Sequence, residues 1–597
     1  MRLEVESGAG PRRIDIFSLL DAADEERAHE DAYAWIKALR HLRVDGVPLR
    51  RRFTLRGDSL WWFAELYLHK DQAIHAAMRI LRALEILVER ERPLGWRLVE
   101  GAHAGIVAQV AAARGIRYDG PSWGGRSALV RLDARAMRLA AAARVSRLRA
   151  WPVRTPPARI AAFVHSAFWR AGRTDGGAES YIGPILRELE SRLGAEAMRY
   201  VGVGPRTNFR ARRWWDPLVG GTRGGIVAIE RFAPSGAMRA SQAVFRERHA
   251  ARRSLWASAD LRAHAVIRGI DCWPLVREQL AGIALLQLPW SARAMDEAAA
   301  ALEALQPDVA VTYAEAGGWG RALALESRRL GVPLAGLQHG FIYRHWLNYR
   351  HEADEMLPDA ENPADRGFPL PAATLLFDEH AAAHLRRAGQ FPASALAVTG
   401  SARLDELVAA VRALAPADLE RARRETGAGP EQSLVVFAAK EREARAALPS
   451  LVAAVRDLPR VHLAIKPHPA ETADVYGPVT AGVANIRVLA ADAPLPPLLG
   501  AAGGLVTVNS TVAIDALALG LPSLVIGLPN NLSPFVDAGA MLGASSPGEI
   551  GGALSRLLYD QEFRGRLERG RAAGTGNAAA ASADVILALP ASRPPRS

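Results

Sequence analysis

Two short stretches near the C-terminus decide the fold: KPHP at residues 466–469 and VNSTVAIDA at residues 508–516. Each follows an apolar run that predicts a buried strand, so both lie at strand ends, where open α/β sheets bind their ligands. The second stretch also opens a predicted helix, from about Ser510 to Leu519, whose first N–H groups are free to face an anion. The pair therefore predicts a parallel α/β domain with a phosphate site.

Lysine is rare in this chain. Only Lys37, Lys70, Lys440 and Lys466 occur, so 71 of the 75 basic residues are arginine. This bias suggests that lysine persists mainly where arginine will not serve, and Lys440 and Lys466 both fall at predicted strand ends of the C-terminal half. A compact ammonium donates to phosphate as a point charge, whereas arginine presents a broad fork. The placement of these two lysines supports the phosphate site.

Length and composition are typical of a globular protein with several domains. The 597 residues, 49% of them hydrophobic and 23% charged, predict about two to four domains. A single cysteine, Cys272, excludes an internal disulfide and a cysteine-clustered metal site. We expect no secretory signal at the N-terminus. The longest apolar stretch, Leu498 to Pro529, is broken by polar residues and glycines, so it predicts strand, helix and strand rather than a membrane span.

A net charge of +12 calls for an acidic partner. The clearest basic stretch runs from Arg131 to Arg149, and two interpretations of it stay open. It is either an amphipathic helix that lies on an anionic membrane surface, or a solvated face whose arginine stems pack on a neighbouring domain. Basic patches at residues 50–52 and 210–215 come without a nucleic-acid-binding motif, so nucleic acid is not an expected partner.

Short apolar runs alternate with helical patterns through most of the chain, which predicts parallel α/β architecture. We predict an α/β fold in which two Rossmann-like domains face each other across a cleft. The predicted parts are an N-terminal elaboration with a basic connector (1–158), a first Rossmann-like domain (159–340), an interdomain linker (341–372), a second Rossmann-like domain (373–571) and a disordered tail (572–597).

Four polar loops at predicted strand ends would converge on one ligand in that cleft. They are LQHG at 337–340, TGSARLD at 399–405, KPHP at 466–469 and NST at 509–511. Together they resemble the GT-B transferases that build bacterial surface carbohydrates. The nearest groups are the capsule polysaccharide (Kdo-transferase type) group and the CDP-glycerol glycerophosphotransferase group, and the likeness runs from about Asp308 to Leu528.

The resemblance implies a nucleotide donor on the second domain and an acceptor that enters from the first. The implied donor-binding residues are Gly400, Ser401, Arg403, Lys466, His468, Glu471, Asn509, Ser510, Thr511 and Asp515. Among them, Glu471 or Asp515 would meet the ribose or order the loop. Simpler roles stay open: Ser510 and Thr511 could cap a helix, and Arg403 could pair with Asp405 or Glu406.

His339 is the candidate base that the resemblance implies, because hydroxyl attack at an anomeric carbon needs a proton acceptor that titrates near neutrality. Two rivals, His165 and Glu315, stand at equivalent strand ends of the first domain. The loop from Asp175 to Glu179 is interpreted as a turn and helix start rather than as an acceptor site.

The predicted function is an inverting glycosyltransferase that moves a sugar from a nucleotide-sugar donor to a polysaccharide or lipid-linked glycan acceptor. No metal or other cofactor is expected, since helix N-termini and cations would replace the metal. The alternatives are a glycerophosphotransferase-type polymerase, a non-hydrolysing nucleotide-sugar 2-epimerase and a non-catalytic scaffold of the same fold. We expect a cytoplasmic protein, peripheral to the inner face of the membrane if the basic stretch binds lipid.

Overall fold

The computed structural model describes residues 1–8, 10–121, 126–149, 157–171, 177–204, 225–313, 315–342, 344–445, 447–468, 471–508, 510–527, 532–569 and 576–592. The N-terminal unit contains a four-stranded mixed sheet in the order Gly10–Asp15, Arg2–Ser7, Gly95–Glu100, Arg117–Asp119. Its main helices are Ala22–Ala38, Trp61–Asp71, Ala73–Glu91, Ala104–Arg114 and Arg126–Arg149. Strand Gly95–Glu100, helix Ala104–Arg114 and strand Arg117–Asp119 follow one another along the chain in this unit.

The first large sheet has seven parallel strands. In spatial order they are Ile226–Ala228, Met198–Val203, Ile160–His165, Val309–Tyr313, Leu334–Leu337, Ala373–Leu376 and Leu396–Val398. The helices of this part include Gly183–Leu193, Arg239–Ala257, Trp273–Gly282, Leu288–Leu305, Gly318–Leu330 and Glu379–Arg387. The central strand Val309–Tyr313 is buried at every position, as expected for a parallel strand covered on both faces.

The predicted boundary between the two domains is wrong. The strands Ala373–Leu376 and Leu396–Val398 were expected in the second domain, yet the first of them pairs in parallel with Leu334–Leu337 and so extends the first sheet. Strand spacing along the chain is the same on either side of the true boundary, so the sequence pattern could not show which sheet these strands join. The chain leaves the first sheet only after Val398.

The second sheet has six parallel strands in the order Ile486–Val488, Val461–Pro467, Ser433–Ala439, Gly504–Thr507, Ser523–Ile526, Leu542–Ala544. Its helices include Ala402–Arg412, Pro416–Thr426, Leu448–Arg456, Leu495–Ala501, Val512–Leu519, Ile550–Tyr559 and Gln561–Arg569. In both sheets the chain starts at a central strand, builds outward to one side and then returns to the other. This doubly wound order confirms the two Rossmann-like domains, and it places a crevice where the winding reverses.

The predicted disordered tail (572–597) is partly wrong. Residues Ala578–Ala588 form a helix that packs on helix Gly183–Leu193 of the first domain. Asp584 pairs with Arg192 at 2.5 Å, and the Ala578 N–H donates to Asp405 at 3.0 Å. Composition misled the prediction because small residues such as Ala578 and Ala583, which are fully buried, let a helix pack closely against its neighbour.

The segment predicted as an interdomain linker (341–372) is held in the interior by buried charges. Lys37 Nζ donates to Glu65 at 2.6 Å and to Glu355 at 2.7 Å, and it lies 3.3 Å from His351 Nδ1. Glu65 also pairs with Arg321, whose side chain is fully buried. Burial alone would raise the pKa of Glu355, but Lys37 and His351 outweigh it and hold that pKa well below its usual range.

A second set of ion pairs anchors the same segment from the basic patch at residues 50–52. Arg50 pairs with Asp365 at 3.0 Å and Arg51 pairs with Asp359 at 2.8 Å. These arginines therefore join the N-terminal unit to the segment and do not form a nucleic-acid surface. The other basic patch, 210–215, lies outside the described residues.

Across the described ranges, every helix is either too short or too polar to cross a membrane.

Replacing Lys37 with methionine should lower the free energy of unfolding by about 3–5 kcal/mol, because it leaves the buried carboxylate of Glu355 without its cation. Urea unfolding measures the change. The matched control is Arg424→Met, which breaks an exposed pair with Glu420 and should cost about 1 kcal/mol or less. Equal small losses in both variants would contradict the role assigned to Lys37.

Candidate active site

The crevice of the second domain lies between the ends of strands Ser433–Ala439 and Gly504–Thr507, where the winding reverses. Thr507 closes this edge: its hydroxyl donates to the Ala438 carbonyl at 2.5 Å and accepts the Ser510 N–H at 3.2 Å. Helix Val512–Leu519 begins two residues later than predicted. The helix N-terminus is thus fixed beside the end of the neighbouring strand.

The residues before this helix have separate roles. Ser510 Oγ accepts the Val512 N–H at 3.3 Å, so Ser510 does cap the helix. Thr511 is exposed and makes no side-chain capping bond. A Cβ placed on Gly340 of the first domain would lie 3.8 Å from Thr511 Cγ2, so Thr511 faces the other domain across the cleft. Asn509 lies outside the described residues.

His468 and Lys440 follow two adjacent strands of the second sheet. Burial lowers the pKa of His468, and the charge of Lys440 acts in the same direction. Lys440 is about half exposed and pairs with Glu443 at 3.4 Å. The next strand along leads to Ser510 and Thr511. Three neighbouring strand ends therefore carry a histidine, a lysine and a helix N-terminus, which is a chemistry suited to phosphate.

Lys466 and Glu471, two of the predicted donor-binding residues, each contact other parts of the protein, and for Glu471 this fits its alternative predicted role of ordering the loop. Lys466 is half-buried, and its Nζ donates to the Ala491 carbonyl at 2.7 Å and to the Pro467 carbonyl at 3.2 Å. Glu471 accepts the Glu441 N–H at 3.0 Å and the Tyr476 hydroxyl at 2.9 Å. Lys466 ties its strand end to a neighbouring loop, and Glu471 orders the loop after Lys440.

Arg403 pairs with Asp515. The sequence had suggested either a contact with the donor or an ion pair with Asp405 or Glu406. The Arg403 guanidinium donates to the two carboxylate oxygens of Asp515 at 2.5 and 3.3 Å, and the Asp515 side chain is 2% exposed. Burial raises the pKa of Asp515, and Arg403 opposes that shift. Asp515 thus orders the loop that carries Arg403, which is one of the two roles predicted for Asp515.

The turn at Gly400 and Ser401 links the first sheet to this ion pair. Gly400 has a φ of +84°, a conformation that glycine adopts without strain. Ser401 is buried, and its Oγ accepts the Leu404 N–H at 3.4 Å. The turn is therefore a helix cap at the crossing between domains, and its side chains are engaged within the protein.

His339 lies two residues after strand Leu334–Leu337 of the first domain. Its ring packs against the rings of Tyr181 and Tyr313, with centroids 5.6 and 5.3 Å apart. Two residues later, Phe341 contacts Phe535 of the second domain at a centroid distance of 5.1 Å. Burial lowers the pKa of His339 to about 4, so the ring is neutral at pH 7, and this pKa lies below the near-neutral value expected of the base.

The two rival bases are less well placed. His165 Nδ1 accepts the Ala167 N–H at 3.1 Å, which leaves the proton of the neutral ring on the other nitrogen. Glu315 is buried, and one oxygen accepts the Tyr349 hydroxyl at 3.0 Å. Burial raises the pKa of Glu315 to about 7. However, Gly320 and Gly336 pack directly against Glu315, so little space is left beside it.

Glu179 is a residue that the sequence interpretation assigned to a turn. It is 4% exposed, and its Oε2 accepts the N–H groups of Tyr181 and Ile182 at 2.6 and 2.5 Å. Burial raises the pKa of Glu179 to about 7, opposed by these backbone bonds and by the Tyr313 hydroxyl. Tyr313 also accepts the His165 N–H at 3.0 Å. Glu179, Tyr313 and His339 thus form one connected group at the first-domain strand ends.

One group of described side chains has a ligand set that could suit a metal ion. Oxygen and nitrogen atoms of Glu26, Glu30 and His345 lie within 4.8 Å of one another. Arg344 pairs with Glu26 and Arg350 pairs with Glu30, both at 2.8 Å. These arginines already neutralise the two carboxylates, and the group lies at the interface with the N-terminal helix Ala22–Ala38 rather than at the strand ends described above.

A comparison with family models agrees with the resemblance predicted from the motifs. The family model "Capsule polysaccharide biosynthesis protein" matches residues 433–531, which hold five strands of the second sheet. A comparison with curated proteins finds no match.

Several solved structures are similar to the chain. UDP-GlcNAc 2-epimerase from Neisseria meningitidis bound to UDP-GlcNAc is 13% identical, with a TM-score of 0.45 over 72% of this chain and 99% of that one. The wall teichoic acid polymerase TagF is 10% identical, with a TM-score of 0.38 over 78% and 98%. MurG from Acinetobacter baumannii is 15% identical, with a TM-score of 0.34 over 50% and 80%. All three TM-scores lie below 0.5, so the function is inferred from this chain's own residues.

Replacing Glu179 with glutamine should remove part of the pH dependence of stability. The Glu179 carboxyl titrates near 4.5 when unfolded and near 7 when folded, so the folded state binds more protons between these values. The free energy of unfolding therefore falls as pH rises through that window, by up to about 3 kcal/mol. Urea unfolding at pH 5 and pH 8 should show a smaller fall in Glu179→Gln than in the wild type. The same fall in both proteins would contradict the shifted pKa, and Glu188→Gln, at a more exposed site, is the control.

Proposed function

We propose that the chain is an inverting, metal-independent glycosyltransferase that uses a nucleotide-sugar donor in the assembly of surface polysaccharide. The observation that carries the proposal is the set of three adjacent strand ends with His468, Lys440 and the Ser510–Thr511 turn, opposite His339 across the cleft. One side offers a lysine, a histidine and N–H groups for a phosphate. The other offers a neutral imidazole for a proton.

The donor phosphates would lie against the N-terminus of helix Val512–Leu519, with His468 and Lys440 at their sides. Charge develops on the phosphate oxygen when its bond to the sugar breaks, and fixed donors that already point at this oxygen stabilise it without reorganisation. Arg403 would act indirectly, since its pair with Asp515 fixes the helix. Lys466 would likewise position its strand end.

The acceptor hydroxyl would approach from the first domain. Its oxygen attacks the anomeric carbon, its proton passes to His339, and the bond from that carbon to the donor phosphate breaks, so the configuration inverts. The His339 pKa of about 4 would rise when an anionic donor binds nearby. Glu179 and Tyr313 would hold the aromatic group around His339 in place.

Thermal unfolding with CMP, CDP, UMP, UDP, GDP and ADP should show stabilisation by one of these nucleotides. At about 100 times its dissociation constant the ligand adds about 2.7 kcal/mol. The shift should be lost in His468→Ala and kept in His41→Ala, a histidine that is 62% exposed on the N-terminal unit. If none of the six nucleotides raises the unfolding temperature of the wild type, the proposed donor site is contradicted.

Replacing His339 with glutamine should lower the rate of sugar transfer by about 10²–10⁴, the usual contribution of a general base. The thermal shift with the stabilising nucleotide should persist, because the donor site lies on the other domain. Release of free nucleotide from the matching nucleotide sugar gives the rate. If Glu179→Gln abolishes the rate and His339→Gln leaves it unchanged, the base has been assigned to the wrong residue.

A further inference from the structure

The basic helix Arg126–Arg149 exposes the side chains that a surface helix normally buries. Its well-buried positions are alanines, among them Ala136, Ala142 and Ala143. Val130, Met137, Leu139 and Val145 are instead 67%, 51%, 38% and 40% exposed. These are four of the twelve large hydrophobic residues that stand exposed in the described part of the chain. Of these four side chains, Leu139 lines a groove beside the helix.

The same helix carries a strong positive charge. It contains seven arginines and one aspartate, a net charge of +6. Asp133 is engaged by Arg248 at 3.2 Å and by His249 at 3.3 Å, so it holds the basic helix against helix Arg239–Ala257. Apolar and cationic side chains are therefore exposed together on one element.

A groove of about 480 Å³ opens beside this helix. The basic helix, helix Arg239–Ala257 and the turn Ile283–Gln287 form its walls, and Leu139, Phe245, Leu285 and Trp290 supply much of its apolar lining. The turn Ile283–Gln287 is a π-helix, a local irregularity that occurs frequently at functional sites. The groove is large enough for part of a hydrocarbon chain.

Four arginines line this groove: Arg144, Arg147, Arg246 and Arg293. Arg144 and Arg246 are exposed, and no partner is recorded for either guanidinium among the described residues. Arg147 pairs with the buried Glu297, and Arg293 lies 3.8 Å from the same carboxylate. The Nε atoms of Arg147 and Arg293 are buried without a hydrogen-bond partner in the described structure. Glu297 thus serves two cations whose charges also act on the carboxyl of Glu230, and the excess positive charge of the lining comes from Arg144 and Arg246.

The inner end of the groove approaches the first-domain strand ends. Trp290 packs edge-on against Trp319 with ring centroids 5.5 Å apart, and its ring would contact a Cβ placed on Gly318 at 2.7 Å. Gly318 starts the helix that follows strand Val309–Tyr313. A molecule in the groove would therefore lie on the same edge of the sheet as Tyr313.

We infer that this groove binds an anionic phospholipid of the membrane surface, with its acyl chain along Leu139, Phe245 and Trp290 and its phosphate between Arg144 and Arg246. The apolar lining favours a lipid over a nucleic acid, whose backbone would meet only the rim. The unpartnered arginines supply the charge that the phosphate needs. The site holds the protein at an anionic surface, and it does not depend on the transferase reaction proposed above.

The test uses the full chain and vesicles of phosphatidylcholine with or without 30% phosphatidylglycerol, with binding followed by co-sedimentation. The wild type should bind the anionic vesicles and not the neutral ones. Arg144→Gln with Arg246→Gln should weaken binding about 25-fold, since each arginine near an anionic surface contributes about fivefold. The matched control, Arg421→Gln with Arg424→Gln, removes two exposed arginines of the second domain and should bind like the wild type. Equal losses in both double variants would overturn the proposal.

A second measurement separates the groove from general attraction to the surface. Monomeric dihexanoyl phosphatidylglycerol should bind the wild type saturably and should fail to bind Ala140→Trp, in which a bulky ring fills the groove. Binding to anionic vesicles without binding of the monomeric lipid would show surface attraction only and would overturn the site. All variants should keep the thermal shift with the stabilising nucleotide. If no nucleotide stabilises the wild type, the proposed transferase activity is contradicted, and the lipid site is unaffected.

Discussion

The structure depends on a balanced set of buried charges: Arg321 and Lys37 against Glu65 and Glu355. Two cations and two carboxylates are removed from water together, and each must keep its partner, because an unpaired buried charge is far more costly than the pair. The set joins two N-terminal helices to helix Gly318–Leu330 and to the segment after His339. Since this segment begins at the turn that faces Thr511, the buried charges help to fix the cleft.

Most of the fold follows from the sequence because parallel strands covered on both faces are continuous apolar runs. Val309–Tyr313 and Ser523–Ile526, for example, are apolar runs that are buried at every position. The assignment of Ala373–Leu376 and Leu396–Val398 to the second domain failed because the spacing of strands along the chain does not show which strands pair in three dimensions. The tail prediction failed for another reason: an alanine-rich segment has little apolar pattern, yet it can pack where a neighbouring surface accepts small residues.

The site was predictable as a location and much less as a set of contacts. Strand-end motifs placed His339, His468 and the Ser510–Thr511 turn around one cleft. Motifs do not show where a long side chain points, so the partners of Lys466 and Arg403 emerged only from the structure. Glu179 was missed because the loop from Asp175 to Glu179 was interpreted as a turn and helix start, and the burial of Glu179 beside Tyr313 is a consequence of folding. The rarity of lysine proved informative at Lys37, where a compact ammonium fits between two carboxylates and a histidine.

The central claim is that sugar leaves the donor and nucleotide is released, and chromatography of the reaction mixture tests it most directly. The full chain is incubated with the nucleotide sugar that its thermal shift identifies and with a lipid-linked glycan fraction as acceptor. Free nucleotide should accumulate at the same rate as glycosylated acceptor, and His339→Gln should suppress both. Conversion of the donor into a second nucleotide sugar, with no free nucleotide at any time, would contradict the account and identify an epimerase instead.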